Sequence, residues 1–403
     1  MLRGLNWLLS FGLGHYQQLE AVMISLDRVG IAAMPSFTNG FPLAGIAMLD
    51  PVGHSPGNLH DKQSRETLVT RLATLLRIPM LGSVTDPDDV GPDVLLVPRD
   101  TLIAETMTSK TRLSIGTLIG GLTPYRFAAT KAITHGLIGK DAAHPEGWCA
   151  SMAERLGDAA LKGYTAFTPE DAVEAGRRLL RSGPARVKEV CARASLGQTV
   201  VETERQLISV IEEQDPRQLA MFGIVIEENL FDVETYSVGS LSVAGLEISY
   251  VGGQQETIDH KGRNVYGGSS LRSVRGGLDR LTHLGLDTEA TEAIRCAAVF
   301  DDAARRAYPS MVLTRRNYDV IAGRDARGLR RVGVLEQSWR IGGATGAEIA
   351  ALEAFADAPE LTSVHTVTVE RYEVSETPEG AVLYFKGVDP VVGPMTKYAM
   401  RIA

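Results

Sequence analysis

The stretch RRNYDVIAGRDARGLRRVGVLEQSWR, residues 315–340, holds the pattern on which the fold turns. Its alternation predicts two strands, RNYDVIAG and RRVGVLEQSWR, folded back on each other around RDARG. Period-2 geometry puts Asn317 and Asp319 on one face of the first strand, and Glu336, Ser338 and Arg340 on one face of the second. Carboxylates facing each other across an antiparallel pair repel unless a cation lies between them. Oxygen ligands of this kind suit Mg²⁺, which takes one or two carboxylates and fills its shell with water or phosphate oxygens. Arg340, four residues beyond Glu336, is spaced to grip an anion bidentately. The competing reading is a strand pair with one solvated polar face, and the apolar setting of Glu336 in GVLEQSWR speaks against it.

Working outward, ARVKEV (185–190) reads as a strand carrying Lys188 ahead of the short loop CARASLGQ, with Gly197 and Gln198 at its end. A lysine followed by a small-residue loop suits polyphosphate, since the ammonium neutralises charge and loop amides donate to oxygens. A solvated strand lysine is the alternative. MFGIVIEENL reads as a buried strand with a polar exit, and VIEENLFDVE then presents Glu227, Glu228, Leu230 and Glu234. A hinge of that kind can bond an adenine edge, lay a leucine on the ring and reach ribose hydroxyls with a carboxylate; an exposed acidic loop is the other reading. TYSVGSLSV and LEISYVG form an antiparallel pair around Ala244-Gly245, and the tail HTVTVERYEV and AVLYFKG adds two strands.

Helices are expected in ATKAITHGLI, from Thr168 to a stop at Ser182-Gly183-Pro184, from the capping box at Thr203–Gln206, and over 278–307. Another follows Thr345-x-x-Glu348, with Ile349, Leu352 and Phe355 on one face. The densest glycine lies in 252–277, GGQQETIDHKGRNVYGGSSLRSVRGG, a candidate for acceptor recognition with Arg272 and Arg275, or a structural hairpin. His260 reads as a surface residue and Tyr250 as core.

Towards the N-terminus, GIAMLD, KQSRETLVTRLATLLR and DVLLV read as β-α-β. PVGHSPGNLHD lies at the first strand's C-terminal end, where open α/β sheets bind ligands, although an ordinary connection fits equally. Residues 1–40 are unassigned. MLRGLNWLLSFGLG resembles an export signal but lacks an A-x-A site, so a buried helix, or a segment upstream of a start at Met23, Met34 or Met48, is favoured. The 403 residues, with net charge −8, 44% hydrophobic and 22% charged, predict two to three domains of ~150 residues and exclude a disordered or strongly basic chain. Cys149, Cys191 and Cys296 are too few and too scattered for a disulfide framework or zinc site, and point to a reducing compartment. No run reaches the ~20 apolar residues of a membrane span.

The order of these motifs, a lysine before a helix, a lysine on a strand before a small loop, a Glu–Leu–Glu hinge and then Asp and Glu on paired strands, resembles the ATP-grasp superfamily. FAATKAITH, VYGGSS, RRNYDVIAG and GVLEQSWRIGGATGAEIAAL are similar, more specifically, to an uncharacterised bacterial family of ATP-grasp-like proteins, from about Leu122 to the C-terminus. The resemblance implies an α/β ATP-grasp fold, with a pre-ATP-grasp-like α/β domain at 41–127 and an ATP-grasp domain at 128–403. The latter would divide into a phosphate-lysine lobe at 128–226 and a metal lobe at 227–403.

It further implies Lys131 and Lys188 as phosphate lysines, with Gly197 and Gln198 in the lid. Glu227 and Glu228 with Leu230 would meet adenine, Glu234 the ribose, and Asp319, Glu336 and Ser338 Mg²⁺. Arg340, with Lys188, would act in catalysis, and Arg340, Gly342, Gly343 and Arg275 would hold substrate. The implied activity is a cytoplasmic ATP- and Mg²⁺-dependent ligase joining a small-molecule carboxylate to an amine or thiol through an acyl phosphate. No nucleic-acid or membrane partner is implied, and a homodimer is compatible with the resemblance. Two departures stand out: Ser338 replaces the usual Asn, and the lid RASLGQ keeps one glycine. They support, as alternatives, a nucleotide-binding regulatory protein without turnover, or a phosphotransferase of the same fold.

Overall fold

GIAML has no polar side chain, and Gly45–Leu49 (β1) is buried along its whole length. The computed structural model describes residues 42–51, 57–107, 113–192 and 197–402. The N-terminal 1–40, residues 52–56 of the PVGHSPGNLHD loop and lid residues 193–196 therefore lie outside the described residues. Helix α1 (Leu59–Leu76) follows, then Met80–Val84 (β2) and Val94–Pro98 (β3), in a parallel sheet of order β2-β1-β3. Strand β2 was not expected: its MLGSV sits at the sheet edge with Met80 and Leu81 exposed, so no alternation marks it. Two short strands, Leu102–Ile103 (β4) and Gly121–Thr123 (β5), lead out of this block.

ATKAITHGLI departs from expectation. It forms two 3₁₀ turns, Phe127–Ala129 and Lys131–Thr134, rather than a helix. Thr130 between them is extended and its hydroxyl accepts from Ala132 N at 3.2 Å, an interaction that competes with helical continuation.

The chain then runs through α2 (Ser151–Leu156), β6 (Gly163–Ala166), α3 (Pro169–Leu180), β7 (Ala185–Glu189), β8 (Gln198–Val201), α4 (Glu204–Glu212), α5 (Pro216–Phe222) and β9 (Ile224–Glu228). These strands form an antiparallel sheet of order β6-β9-β7-β8. Both expected caps are present: Thr168 accepts from Asp171 N, and Thr203 and Gln206 cap each other's backbone. A Cβ on Gly176 would lie 2.3 Å from Leu207 Cδ2, so glycine there lets α3 and α4 meet. MFGIVIEENL is a strand only from Ile224, because Asp215 caps α5 and Pro216 occupies its first turn.

The remainder contains β10 (Phe231–Val243), β11 (Leu246–Ile258), β12 (Asn264–Arg275), α6 (Thr288–Ala307), β13 (Val312–Leu313), β14 (Arg315–Arg324), β15 (Arg330–Ser338), α7 (Thr345–Asp357), β16 (Ser363–Arg371), β17 (Val382–Asp389) and β18 (Gly393–Ile402). Its main sheet has order β15-β14-β10-β11-β12-β16-β18-β17, while β13 pairs with β5. Buried residues of α6 and α7 join two separate cores. Strand β18, unread in the sequence, supplies the partner for both tail strands.

Residues 252–277 are the structural hairpin, paired from Ile248↔Arg275 to Ile258↔Asn264. A Cβ on Gly252 would sit 1.8 Å from Ser270 O and one on Gly268 2.1 Å from Thr368 O, so part of this glycine serves strand packing. The expected capping box at α7 is absent: Ala344 is its N-cap, Thr345 Oγ1 accepts from Gly342 N, and Glu348 is buried with Arg315. No helix among the described residues is long and apolar enough to cross a membrane.

Candidate active site

A cleft of about 1790 Å³ is lined by residues of the N-terminal block, of the four-stranded sheet and of the eight-stranded sheet. The turn Lys131–Thr134 and strand β7 each aim one lysine inward, and both side chains are buried. Lys188 Nζ lies 2.5 Å from Glu227 Oε1, and His135 Nε2 lies 3.1 Å from Glu227 Oε2. Burial lowers the Lys188 ammonium from its ordinary value while Glu227 opposes that fall. Burial would raise the Glu227 carboxyl, but Lys188 and His135 overcome it and bring it to about 2. Glu227 is therefore ionised at neutral pH, and it lies beneath Lys188.

Lys131 Nζ lies 2.5 Å from Glu336 Oε2 on β15 and donates to Ala192 O at 3.3 Å. Glu336 on β15 pairs directly with Asp319 on β14, and Ser338 with Asn317. Asp319 accepts from Asn317 Nδ2 and Gln254 Nε2, each at 2.8 Å, with Ser237 Oγ at 3.5 Å. Burial and the Glu336 charge push its carboxyl up to about 6 despite the Asn317 hydrogen bond. Among the described residues no group of three or more His, Cys, Asp or Glu is placed to hold a metal ion. A cation between Asp319 and Glu336 would take its remaining ligands from Ser338, phosphate or water.

Beneath the carboxylates lies a network that sequence reading missed. Arg315 pairs with Glu348 at 2.7 Å, both buried, and Arg315 Nη1 donates to Ser338 O at 3.0 Å and Arg340 O at 2.5 Å. The Tyr250 hydroxyl lies 2.7 Å from Glu348 Oε1 and 2.9 Å from Asn317 Oδ1. Tyr250 is thus core, as expected, but with its hydroxyl wired to the site. The RR at 315–316 was the available clue: a strand beginning with two arginines must pair the buried one.

The other expected residues divide. Glu234, Gln198, Ser338, Arg340, Gly342 and Gly343 line the cleft. Glu234 is exposed and accepts from Tyr236 OH at 2.9 Å. Gln198 accepts from Arg186 at 3.3 Å, and Gly197, at φ 63, accepts from Glu189 N through its carbonyl. Arg340 donates to Ile341 O at 2.9 Å, with its Nε 3.8 Å from Asp100 Oδ1.

Three hinge residues are placed elsewhere. Glu227 is under Lys188, Leu230 is packed against Gly323, and Glu228 accepts from Lys162 N on the wall of a second groove. The hinge backbone is itself engaged, with Glu228 N bonded to Lys162 O and Asn229 N to Pro184 O. Arg275 is a correction: it lies outside the cleft lining, donates to Phe355 O at 2.6 Å at the end of α7, and stacks on the Phe355 ring. The open carbonyls of a helix C-terminus attract a cation there. Arg272 likewise donates to Leu284 O, away from the cleft lining. His260 lines the cleft mouth, bonded to Pro394 O.

Residues 51–399 match the model of a family described as a protein of unknown function, DUF3182. The sequence matches no curated protein. Among solved structures, the chain is similar to N5-carboxyaminoimidazole synthetase from Staphylococcus aureus, with 10% identity, TM-score 0.49, and 90% of this chain and 94% of that one covered. It is also similar to phosphoribosylamine–glycine ligase from Thermotoga maritima (12%, TM-score 0.48, 89% and 90% covered) and to a biotin carboxylase from Campylobacter jejuni (9%, TM-score 0.46, 89% and 87%). None of the three carries over a residue role.

Proposed function

The chain belongs to the DUF3182 family, and we propose that it is an ATP-grasp ligase that joins a small-molecule carboxylate to an amine or thiol. One observation carries the reading: buried Lys131, ahead of α2, and Lys188, on β7, share a cleft with Asp319 and Glu336, paired across β14 and β15. Cations for phosphates thus stand opposite carboxylates for a metal.

The residues fit Mg²⁺. Asp319, held up to about 6 beside Glu336, is a carboxyl that a cation would relieve. Bound there, Mg²⁺ would neutralise charge on the phosphates of ATP. Lys131 and Lys188 would hold the same phosphates, with Lys131 exchanging its Glu336 contact for phosphate oxygens. In the reaction, the substrate carboxylate oxygen bonds to the γ-phosphorus as the bond to ADP breaks. The amine or thiol then bonds to the acyl carbon, phosphate leaves, and the nucleophile gives up its proton. Arg340 and the 341–343 turn steady the acyl phosphate. The lysines and Arg340 supply fixed charge where negative charge gathers, the main protein contribution to phosphoryl transfer. A cytoplasmic setting, rich in ATP and Mg²⁺, suits this chemistry.

A nucleotide-binding protein without turnover is favoured by one observation: Ser338 Oγ already accepts from Arg315 Nη1 at 3.4 Å, which weakens it as a third ligand. The deciding experiment is ADP release from purified protein with ATP, Mg²⁺ and pools of carboxylates and amines, beside Glu336→Gln. The ligase reading expects one pool to raise turnover over that variant, with a condensed product by mass. Tight ATP binding with no responding pool would hand the site to the regulatory reading, and a stable phosphorylated product to a phosphotransferase.

A pH dependence follows from Asp319. Its folded value lies above the ordinary 3.8, so the folded state holds the proton more firmly. The resulting stability is present below about pH 4 and is lost as pH rises through about 6. A cation needs the ionised form, so the Tm gain from Mg²⁺ with ADP present should be small near pH 5 and full near pH 7.5. Asp319→Asn should flatten that profile. An equal Mg²⁺ gain at both pH values would exclude Asp319 as a ligand.

A further inference from the structure

The segment KAITH, residues 131–135, serves both lysines of the cleft. Lys131 lines the cleft directly. His135, which closes the same 3₁₀ turn in extended backbone, lies outside the cleft lining and reaches Lys188 through one carboxylate. Its Nε2 is 3.1 Å from Glu227 Oε2, while Glu227 Oε1 is 2.5 Å from Lys188 Nζ. His135, Glu227 and Lys188 are 3%, 1% and 2% exposed, which leaves little room for water to replace a partner.

The turn is pinned to β6 at both ends. Thr165 N donates to Gly136 O at 2.8 Å, and the Thr165 hydroxyl donates to Ala132 O at 2.6 Å. The His135 ring lies on Gly163, where a Cβ would be 2.7 Å from its Cε1 and 2.8 Å from its Nδ1. Gly163 is in turn the cross-strand partner of Glu227. Glycine on β6 thus makes the place in which the imidazole meets the carboxylate. Glu227, at about 2, is ionised and can only accept, so the ring carries its hydrogen on Nε2.

Rotation about the last bond of a glutamate is broad and two-fold, so a single contact does not fix the carboxylate plane. Two donors, one at each oxygen, do fix it. Without the imidazole, Oε2 would be a buried charged acceptor with nothing to bond, and the carboxylate would turn both oxygens to Lys188. The ammonium would then be drawn away from the cleft. We propose that His135 is a positioning residue for the phosphate end of the cleft: by holding Glu227 it sets the Lys188 ammonium to face the phosphates of a nucleotide. The phosphate role of Lys188 rests on the function proposed above; the coupling of His135 to Lys188 does not.

The test is calorimetric titration of the full chain with ADP and with adenosine, Mg²⁺ present, at a temperature below the measured Tm of every variant. His135→Leu removes the donor, and His135→Asn, whose amide stops at the place of Nδ1, removes it again with a polar side chain should leucine disturb the fold. His135→Gln carries an N–H out to the place of Nε2. ADP affinity is expected to fall about tenfold in the leucine and asparagine variants and to recover most of that loss in the glutamine variant, with adenosine affinity unchanged throughout. A purely structural histidine would move ADP and adenosine together or neither. Full ADP affinity in His135→Leu and His135→Asn while Lys188→Met loses it, an equal loss of ADP and adenosine, or no recovery in His135→Gln would overturn the proposal. ADP affinity indifferent to Lys188→Met would sink the phosphate reading of Lys188 and, with it, the phosphate role given to His135. Urea unfolding of His135→Leu, Lys188→Met and the double variant reads the coupling apart from any nucleotide: nonadditive losses are expected, and additive ones would untie His135 from Lys188.

Discussion

Glu227→Gln is expected to destabilise the protein by about 3–5 kcal/mol, the cost of leaving a buried charge without its partner. Lys188 is almost fully buried, and its ion pair is Glu227 at 2.5 Å. Glutamine keeps the shape but removes the charge, so Lys188 must either stay ionised in an apolar setting or lose its proton. His135, 3.1 Å from the other oxygen, loses its acceptor's charge too. Urea unfolding of the two proteins measures the difference, and a Lys188→Met, Glu227→Gln double variant should recover much of it, because the stranded charge is gone. The pH profile gives an independent check. Glu227 sits at about 2 when folded against an ordinary 4.5, so its contribution is present above about pH 4.5 and fades as pH falls towards 2. A loss below about 1 kcal/mol in Glu227→Gln would mean that water reaches Lys188 and that the pair is not the buried anchor described here.

Glu336→Gln should cut ADP release by about 10²–10³-fold, the usual effect of removing one group that stabilises transition-state charge. Two functions end with one proton-sized change. The carboxylate facing Asp319 is lost as a metal ligand, and Lys131 loses the partner that holds it at 2.5 Å across the cleft. Since part of the elevation at Asp319 comes from Glu336, neutralising Glu336 should let Asp319 ionise at lower pH. ADP affinity without Mg²⁺ should change little, whereas the Mg²⁺ dependence of ADP binding should weaken. Steady-state ADP release, paired with ADP titrations with and without Mg²⁺, separates these effects. Unchanged turnover in Glu336→Gln would remove the metal from the proposed chemistry.

Strand periodicity placed Asp319 opposite Glu336, and the register bears this out. Caps at Thr168 and Thr203 were legible because a cap is a bond between neighbours in sequence. Thr345-x-x-Glu348 shows where that logic stops: the local pattern is the same, but Arg315, thirty-three residues away, takes the glutamate for a buried ion pair. Arg275 shows it again, since a cation beside glycines reads as a ligand hook until the carbonyls ending α7 are seen around it. The carboxylate of Glu227 meets the lysine of the adjacent strand, a contact that no local pattern in VIEENL announces.

By itself the sequence determined the strand pair at 315–340, the alternation that opposes its two carboxylates, the β-α-β start and the capped helices, because all of these depend on contacts within a turn or across one hairpin. Tertiary structure alone decided that Lys131 meets Glu336 and that Glu227 serves Lys188. The physical reason is that a buried charge or donor is defined by what packs over it. Those partners lie 39 residues away for Glu227 and Lys188 and more than two hundred for Lys131 and Glu336, beyond the reach of any local pattern.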